Sequence, residues 1–404
     1  MSYRKILGLG TFPIVKPVHG GQRRIDAIRK FYQSIGIRYD HACVYDPSIY
    51  PTDRVGANDV AYSGPPVRYR GVPYLADLLS GRQGGEDQAT LRHFLHAIET
   101  LKPDALQLEH PFVWPLIEQV LERTGSRALP VIYSSHNVEA PLKRSLLLAA
   151  HAPPALAAEI HDDIERLETE ACRRAAFVIC VSKSDRDYYL RIRDPADVVV
   201  VPNGVDRPPA VILPSGQSRA IFGDNRFLLT VGSAYPPNVD GACEFVMRDG
   251  AFHSPPTRTI AVCGGMSGGI QERPEYRRFA AANAARIHFF PDIEDDELWT
   301  LKMAAHGCVL ALPSSSGGTS LKTAEALTLG KWVVASAGGL RGFDEFADEE
   351  GVIRADNRTD FRRAMAQVLR SEPVEISARS RTKREALFWD RCFADSSLAA
   401  RLRA

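Results

Sequence analysis

The sequence predicts an α/β protein with two doubly wound domains, each built on a parallel sheet covered by helices on both faces. The chain has 404 residues, which is more than a single hydrophobic core usually serves. Twelve short β-branched runs recur along it, and segments with helical periodicity separate most of them. Twelve strands are too many for one small sheet, so two domains fit this pattern best.

The predicted strands are apolar runs of the length that is typical of strands buried on both faces. In chain order they are KILGLG, HACVY, DALQLEH, LPVIYSSHN, AFVICVS, VVVVPNG, FLLTVGS, TIAVCGG, IHFF, CVLALPS, KWVVAS and GVIRA. Helices are predicted in QRRIDAIRKFYQSI, LRHFLHAIETL, IHDDIERLETEACRRA, DELWTLKMAAH and TDFRRAMAQVLRS. The glycine-containing stretch SGRQGGEDQ near residue 82 is predicted to be a surface loop. The acidic run at Asp162, Asp163, Glu165, Glu168 and Glu170 is predicted to be a solvated helix face.

The domain boundary is predicted at the end of the first six strands. There the stretch VVVVPNGVDRPPAVILPSGQ passes from a strand into turn residues and a proline-rich link near Arg207. We therefore expect a first domain at residues 1–206 and a second domain at 207–385. The remaining segment, 386–404, has a helical pattern and no strand after it.

Composition excludes several classes of protein. The formal net charge of +1 gives no general attraction to nucleic acid or to an anionic membrane. The 7 cysteines form no CxxC pair, and Cys180, Cys263 and Cys308 lie in apolar runs typical of a core, which favours a reducing cytoplasm. No signal peptide or membrane-spanning stretch is recognisable. The segment LKRSLLLAA leaves open a peripheral contact with the inner face of the cell membrane, with core packing as the alternative.

Small and polar residues follow five of the predicted strands, at the edge where parallel sheets bind ligands. Each group alone fits a tight turn, but together they indicate ligand contacts. The longest group, PSSSGGTSLK, places amides at a helix start, where they suit an anion, and Lys322 adds a cation. Glu325 follows on the same helix, and a carboxylate there is a strong acceptor for the paired hydroxyls of a ribose.

This array resembles the retaining, nucleotide-sugar-dependent glycosyltransferases of family 4, over nearly the whole chain. The resemblance implies the GT-B fold, in which two Rossmann-like domains face each other across a cleft and a C-terminal helix crosses back onto the first domain. It implies transfer of a hexosyl group from a nucleotide-diphosphate sugar to a glycan or glycolipid acceptor, with retention, as in polysaccharide biosynthesis. The donor is then a co-substrate, and no cofactor and no nucleic-acid partner are expected. No Asp-x-Asp pair stands in a predicted cleft loop, so we also expect donor binding without a metal.

The most specific match is GGTSLK with Glu325 behind it. It is similar to a subgroup that has GGT-Arg-Leu-Lys in place of the first glutamate of the family's paired-glutamate motif, except that Ser320 stands where that subgroup has arginine. Elsewhere the resemblance implies that His136 approaches the donor sugar and that Ile293 meets the nucleobase. The residues predicted to bind the donor are Gly20, Gly21, Asn203, Gly204, Ser233, Asn238, Gly264, Ile293, Gly317, Gly318, Thr319, Ser320, Leu321 and Glu325. His136 and Lys322 are predicted to be catalytic, Glu109 and Asn137 to bind the acceptor, and no residue to bind a metal. His110, next to Glu109 at the same strand end, is a further candidate for the acceptor contact, with a strand-end turn as the alternative for both.

Two departures from the family pattern leave alternatives open. Gly317 occupies the position of the first glutamate, and the arginine and lysine expected after the first strand of the second domain are absent. The diphosphate charge must then be met by Lys322, by Arg341 or by helix amides alone. A nucleotide-sugar epimerase of the same fold and a catalytically degenerate GT-B module that binds glycans are the two alternative functions. GLGTFP lacks the full dinucleotide fingerprint, which disfavours an oxidoreductase.

Overall fold

The computed structural model describes residues 3–62, 69, 71–126, 128–210, 220–251, 257, 259–313 and 320–403. The chain divides into two compact units. Unit 1 comprises Met1–Asn203 together with Trp389–Ala404, and unit 2 comprises Gly204–Phe388. The divisions expected from the sequence follow residues 206 and 385, and those of the structure follow Asn203 and Phe388.

Unit 1 is built on a parallel sheet of seven strands in the order β3-β2-β1-β4-β5-β6-β7. The strands are β1 (Lys5–Gly10), β2 (Arg38–Tyr45), β3 (Val60–Ala61), β4 (Ala105–Leu108), β5 (Val131–Ser134), β6 (Phe177–Cys180) and β7 (Val198–Val200). Its helices include α1 (Gly20–Ser34), α2 (Ala76–Glu86), α3 (Gln88–Leu101), α4 (Trp114–Arg123), α5 (Glu139–Ala149), α6 (Pro154–Arg174) and α7 (Lys183–Tyr189). Every strand predicted here from the sequence is present. β3 escaped prediction because two residues carry too little pattern.

Unit 2 has a second parallel sheet, of six strands in the order β10-β9-β8-β11-β12-β13. The strands are β8 (Leu228–Val231), β9 (Ile260–Cys263), β10 (Ile287–Phe290), β11 (Gly307–Leu310), β12 (Trp332–Ala335) and β13 (Val352–Arg354). The described helices are Pro236–Ala242, Met266–Glu272, Pro274–Arg277, Ala280–Arg286, Asp295–Ala304, Leu321–Thr328, Ala337–Leu340, Arg358–Arg370 and Ala378–Glu385. All six predicted strands of this unit are confirmed. The two Rossmann-like sheets therefore establish the predicted fold class.

The cores lie on both faces of the two sheets, which is why the strands read as unbroken apolar runs. In unit 1, Leu7, Leu106 and Val131 on neighbouring strands are fully buried in one hydrophobic cluster. The corresponding cluster of unit 2 joins Leu228 to Val334. All seven cysteines are buried and carry free thiols, as predicted for those in the strands.

The SGRQGGEDQ stretch is not the predicted surface loop, because most of it belongs to helix α2. Gly81, Gly84 and Gly85 on this helix are buried. A Cβ atom added to Gly81 would lie 2.0 Å from the backbone oxygen of Phe112, so only glycine permits this helix to pack so closely. Glycine lowers helix propensity, which made the segment resemble a loop, whereas tertiary packing requires the small residue.

The prediction of a solvated acidic face on α6 was wrong for Glu168. Its carboxylate is fully buried and accepts hydrogen bonds from the backbone N–H groups of Glu139 (2.8 Å) and Ala140 (3.0 Å). These amides begin helix α5, and an anion is favourable at a helix N-terminus. Burial raises the pKa of Glu168 to about 8, although the two amide hydrogen bonds oppose that shift.

The C-terminal helices Trp389–Ala394 and Leu398–Arg403 belong to unit 1. The ring of Phe393 stacks on Phe31 of α1 with 4.4 Å between centroids. Arg401 forms an ion pair with Asp197 and a cation–π contact with Phe177. Across the described ranges, no helix combines the length and apolar character needed to cross a membrane.

Candidate functional site

The candidate site residues of unit 1 lie where three neighbouring strands end. Strands β1, β4 and β5 are adjacent and parallel, so their carboxyl ends meet at one edge of the sheet. Phe12 follows β1, Glu109 and His110 follow β4, and His136 follows β5. The tertiary structure thus brings together residues from distant parts of the sequence.

His136 and Glu109 form a buried pair at this edge. His136 Nε2 lies 3.3 Å from Glu109 Oε2. The other carboxylate oxygen accepts hydrogen bonds from the Tyr39 hydroxyl (2.6 Å) and from Gln107 Nε2 (2.7 Å). Tyr32 in turn donates to Gln107 Oε1 at 2.6 Å, which fixes the orientation of that amide. Glu109 therefore fixes the orientation of the His136 ring through the contact between Oε2 and Nε2.

The protonation of this pair follows from its surroundings. Burial lowers the pKa of His136, and the hydrogen bond and charge of Glu109 only partly offset this effect. Burial would raise the pKa of Glu109, but the bonds from His136, Tyr39 and Gln107 prevail and hold it below its usual value. At neutral pH an ionised Glu109 therefore accepts the Nε2–H of a neutral His136, and Nδ1 keeps its lone pair.

This burial corrects the prediction that Glu109 binds the acceptor. Glu109 has no exposed surface, and both carboxylate oxygens already have partners within unit 1. Direct contact with an acceptor is inconsistent with that environment. Asn137, the other predicted acceptor residue, is partly exposed and donates to Glu139 Oε1 at 3.2 Å.

Gly20 and Gly21 form the first turn of α1, next to His136. The helix begins after His19, whose ring accepts the Gln22 amide while the Gln22 side chain bonds back to the His19 amide. A Cβ atom on Gly21 would lie 3.0 Å from the Phe12 ring and 3.5 Å from His136 Nδ1. Glycine is therefore the residue that lets this helix start approach the imidazole.

Three further rings lie at this edge of the sheet with His136, and only His110 among them was a candidate from the sequence. The His110 ring lies 4.5 Å from that of His136 and 5.0 Å from that of Phe12, measured between centroids. Phe12 also contacts the ring of His19 at 4.8 Å, and His19 Nε2 lies 3.3 Å from the Tyr50 hydroxyl. Both nitrogens of His110 and Nδ1 of His136 are buried without a hydrogen-bond partner among the described residues. Such groups indicate that a polar ligand or solvent completes the site.

Asp77 on α2 is a further residue of this site that the sequence did not reveal. Its carboxylate accepts from Thr11 Oγ1 (3.3 Å) and lies 3.4 Å from Lys143 Nζ, and its side chain is 32% exposed. Burial lowers the pKa of His19 to about 4, and the charge of Asp77 partly opposes this shift, which places Asp77 beside the histidine cluster. No motif marks it, because YLADLL reads as an ordinary helix start.

In unit 1, Asn203 receives a hydrogen bond from Arg24, a fully buried arginine of α1. Arg24 donates to the Asn203 side-chain oxygen at 3.0 Å and to the Val201 carbonyl at 3.1 Å. Burial lowers the pKa of Arg24 to about 10. Gly204 is the first residue of unit 2 and is buried.

The candidate site of unit 2 lies at the carboxyl edge of its sheet. Lys322 Nζ donates to Asn238 Oδ1, and Asn238 Nδ2 donates to the carbonyl oxygen of Ser233 at 3.1 Å. Three predicted site residues, from a strand end and two helices, are therefore joined by hydrogen bonds. Burial lowers the pKa of Lys322 to about 8.

Glu325, which was predicted to bind the ribose, has an internal partner. Its Oε2 lies 2.9 Å from Lys302 Nζ on the Asp295–Ala304 helix, with side-chain exposures of 20% for Glu325 and 5% for Lys302. Lys302 also lies over the ring of Trp299 at 4.4 Å. This ion pair is therefore largely buried.

The remaining residues that were predicted to bind the donor have different surroundings in unit 2. Gly264 has φ of +87°, and a Cβ atom there would lie 2.6 Å from the Gly232 carbonyl oxygen, so the backbone itself requires glycine. Ile293 packs partly buried against a cluster that contains Phe227 and Phe290. Ser320 is the residue before the Leu321–Thr328 helix. Gly317, Gly318 and Thr319 lie outside the described residues.

A cavity of about 430 Å³ in unit 2 lies at the opposite edge of the sheet. Phe227, His306 and Lys331 line it, and each precedes the start of a strand. The basic side chains that line it are already engaged. His306 Nε2 lies 3.1 Å from the Val368 carbonyl, Lys331 Nζ lies 2.5 Å from the Ala305 carbonyl, and Arg226, which also lines the cavity, pairs with Glu372 at 2.8 Å. We assign no function to this cavity.

Comparison with known families assigns the chain to a class of enzyme. Residues 50–207 match the model of Glycosyltransferase Family 4, and residues 225–371 match that of Glycosyl transferases group 1. The chain belongs to the GT-B glycosyltransferases. The two matches lie in different units, so each unit supplies one of the two domains of a glycosyltransferase.

Solved structures agree with this glycosyltransferase fold. Sucrose-phosphate synthase from Thermosynechococcus elongatus aligns with a TM-score of 0.64 at 16% identity, over 97% of each chain. Anabaena HepE, solved in complex with UDP-glucose, aligns at 0.57 and 14% identity, over 99% of this chain and 95% of its own. WaaG, a glycosyltransferase involved in lipopolysaccharide biosynthesis, aligns at 0.55 and 14% identity, over 98% of each chain. The sequence matches none of the curated proteins.

Proposed function

We propose that this glycosyltransferase moves a hexosyl group from a nucleotide-diphosphate sugar to a glycan or glycolipid acceptor, with retention at the anomeric carbon. The observation that carries the proposal is the set of Ser233, Asn238 and Lys322 at the carboxyl edge of the unit 2 sheet. A buried lysine beside the start of a helix suits a diphosphate, because the cation and the helix amides both attract negative charge.

Leaving-group stabilisation is the chemistry that this arrangement supports. Charge develops on the diphosphate as the glycosidic bond breaks, and Lys322 and the helix start would offset it without a metal ion. Attack by the acceptor hydroxyl on the face that the diphosphate leaves then requires mainly positioning. The sequence contributes Gly317 to Leu321 to this binding loop, and Glu325 would hold the ribose through the oxygen that Lys302 does not engage.

Unit 1 would supply contacts to the transferred sugar and to the acceptor. The Nδ1 lone pair of His136 is suited to accept a hydrogen bond from a sugar hydroxyl. Because both carboxylate oxygens of Glu109 already have partners, we assign acceptor contacts to Asp77 and His110 instead. Asp77 offers a partly exposed carboxylate, and neutral His110 offers one donor and one acceptor without partners among the described residues.

A thermal-shift screen of nucleotide sugars tests the donor half of the proposal. A ligand at one hundred times its Kd should stabilise the protein by about 2.7 kcal/mol. The shift should persist after treatment with a chelator, and the stabilising donor should support transfer to a glycan. Stabilisation that depends on added manganese would refute metal-independent binding. Donor consumption without acceptor that yields an isomerised nucleotide sugar would favour the epimerase alternative.

A further inference from the structure

Three side chains with metal-binding atoms lie together at β2, in unit 1. His41 and Cys43 are alternate residues of this strand, so their side chains leave the same face. Asp59 immediately precedes β3, which pairs with β2. One ring nitrogen of His41, the sulfur of Cys43 and one carboxylate oxygen of Asp59 all lie within 4.8 Å of one another. The three side chains belong to β2 and to the residue before β3, and none of them is a member of the histidine site.

His41 has the hydrogen bonding of a metal ligand. Its Nε2 lies 3.2 Å from the backbone oxygen of Phe12, which can only accept, so Nε2 carries the proton. Nδ1 is then a lone pair, and it is buried without a hydrogen-bond partner among the described residues. Histidines that bind metals commonly donate their second ring N–H to a carbonyl or carboxylate, which orients the ligand nitrogen.

Asp59 is oriented in the same manner by two backbone amides. The Cys43 N–H donates to Oδ1 at 3.1 Å and the Gly56 N–H donates to Oδ2 at 2.6 Å. Cys43 itself is buried, whereas His41 and Asp59 are partly exposed. Burial, and then the charge and hydrogen bond of Asp59, raise the pKa of the Cys43 thiol, so the metal-free thiol keeps its proton.

We propose that His41, Cys43 and Asp59 form a zinc site that ties β2 to the segment before β3. Imidazole nitrogen, thiolate sulfur and carboxylate oxygen are the three ligand types that zinc takes, whereas a thiolate disfavours magnesium and calcium. Zinc replaces the thiol proton, which passes to solvent, and the thiolate and carboxylate balance the two charges of the ion. His41 and Asp59 are each partly exposed, which gives the ion an entry path.

The zinc site has a structural role and is independent of the proposed sugar transfer. It differs from the expectation of no metal ligand, which rested on spacing in the sequence. The carbonyl that orients His41 belongs to Phe12, whose ring packs against His19 and His110. Zinc binding would therefore stabilise the segment around Phe12 that follows β1. It would raise the melting temperature of the full chain without taking part in donor binding.

Titration of the metal-stripped, full-length protein with Co²⁺ tests the proposal. We expect a single equivalent to bind with a thiolate-to-cobalt charge-transfer band, which Zn²⁺ then abolishes. Cys43→Ser should lose the band, and Cys172→Ser should keep it, because Cys172 is another buried cysteine of unit 1. A wild-type complex without the band, or a band retained in Cys43→Ser, overturns the proposal.

A second pair of variants covers the case in which Cys43→Ser does not fold. Asp59→Asn should weaken Co²⁺ binding by about tenfold or more. Asp53→Asn, at an exposed aspartate of the neighbouring turn, should leave binding unchanged. Equal affinity in the two asparagine variants would show that the ion binds elsewhere, and the site would be rejected.

Discussion

At the residue scale, the role proposed for His136 depends on the Glu109 carboxylate with which it pairs. Glu109 fixes which ring nitrogen carries the proton, and that choice leaves Nδ1 available next to Gly21. Tyr39, Gln107 and Tyr32 extend the hydrogen bonding into the core. Glu109 is therefore a positioning residue, which acts through His136.

We predict that Glu109→Gln lowers the pKa of His136, because the glutamate charge and hydrogen bond are what raise it against burial. NMR titration of the histidine resonances measures this directly. Tyr39→Phe is the matched control, since it removes one bond to Glu109 but keeps the charge. An unchanged His136 pKa in Glu109→Gln would contradict the assignment.

His136→Ala should reduce turnover by about tenfold or more, equivalent to about 1.4 kcal/mol at the transition state.

Lys322 should make diphosphate binding depend on pH. Its pKa is about 8 in the ligand-free protein, so the amine is charged below that pH and neutral above it. Affinity for a nucleoside diphosphate should therefore fall as the pH rises past about 8, with a midpoint shifted upward by the bound anion. Calorimetry on Lys322→Met should show weaker binding and a flatter pH profile. Binding of the nucleoside alone should change little, and an equal loss for both ligands would argue against a contact with phosphate.

At the element scale, the Leu321–Thr328 helix combines the binding role proposed for Lys322 and Glu325 with a structural one. The Glu325–Lys302 pair joins it to the Asp295–Ala304 helix. Considered by sequence alone, Glu325→Gln should affect the ligand and leave the melting temperature almost unchanged. The buried lysine alters that expectation, because loss of its partner leaves a cation unpaired.

We predict that Glu325→Gln both weakens donor binding by about tenfold to a hundredfold and destabilises the protein by about 1–3 kcal/mol. The double variant Lys302→Met/Glu325→Gln separates the two effects. Its melting temperature should recover, since no buried charge remains, while donor affinity should stay low. Recovery of donor affinity together with stability would mean that Glu325 has only a structural role. From the sequence alone, Gly318→Val is also predicted to reduce donor affinity, because a branched side chain hinders the approach of a ligand to the backbone amides.

Helix α2 offers a matched test of close packing. A methyl group at Gly81 would lie 2.0 Å from a backbone oxygen, so Gly81→Ala should destabilise unit 1 by about 1–3 kcal/mol. Gly268 is exposed on a helix of unit 2 and has open space at the same position. Gly268→Ala should stabilise by about 0.5–1 kcal/mol through helix propensity. Chemical denaturation measures both, and similar values for the two variants would contradict this explanation of α2.

At the scale of the whole molecule, the two units differ in chain continuity. Unit 2 is one uninterrupted segment with its own sheet and core, whereas unit 1 needs the C-terminal helices from beyond residue 388. Phe393 and Arg401 on those helices contact α1 and the β6–β7 region. Removal of the C-terminal helices should therefore destabilise unit 1 more than unit 2.

We predict that residues 204–388 expressed alone fold cooperatively and bind the nucleoside diphosphate of the preferred donor. Truncation after residue 388 should instead destabilise unit 1, because the Phe31 ring and the Asp197 carboxylate lose their partners. Circular dichroism and calorimetry on both fragments test this. A folded segment 204–388 without nucleotide affinity would place essential donor contacts in unit 1.

The amino-acid sequence alone predicts the fold class, every strand except the two-residue β3, and the strand ends at which ligands bind. Buried parallel strands must be apolar along their whole length, so KILGLG, TIAVCGG and the other runs carry their own signal. Strand ends in such sheets bind ligands, so the position of His136, Asn238 and Lys322 along the chain is enough to select them as candidate site residues.

Which side chains share an environment depends on the tertiary structure. Burial, pairing and protonation are set by neighbours that are distant in sequence, and no local pattern records them. Glu109 and Glu168 looked like accessible acids and are fully buried with partners. Asp77 had no motif and yet stands beside His136. The glycines of α2 resembled a loop because propensity is a local property, whereas the space that a Cβ atom would need is set by the opposite segment of the fold.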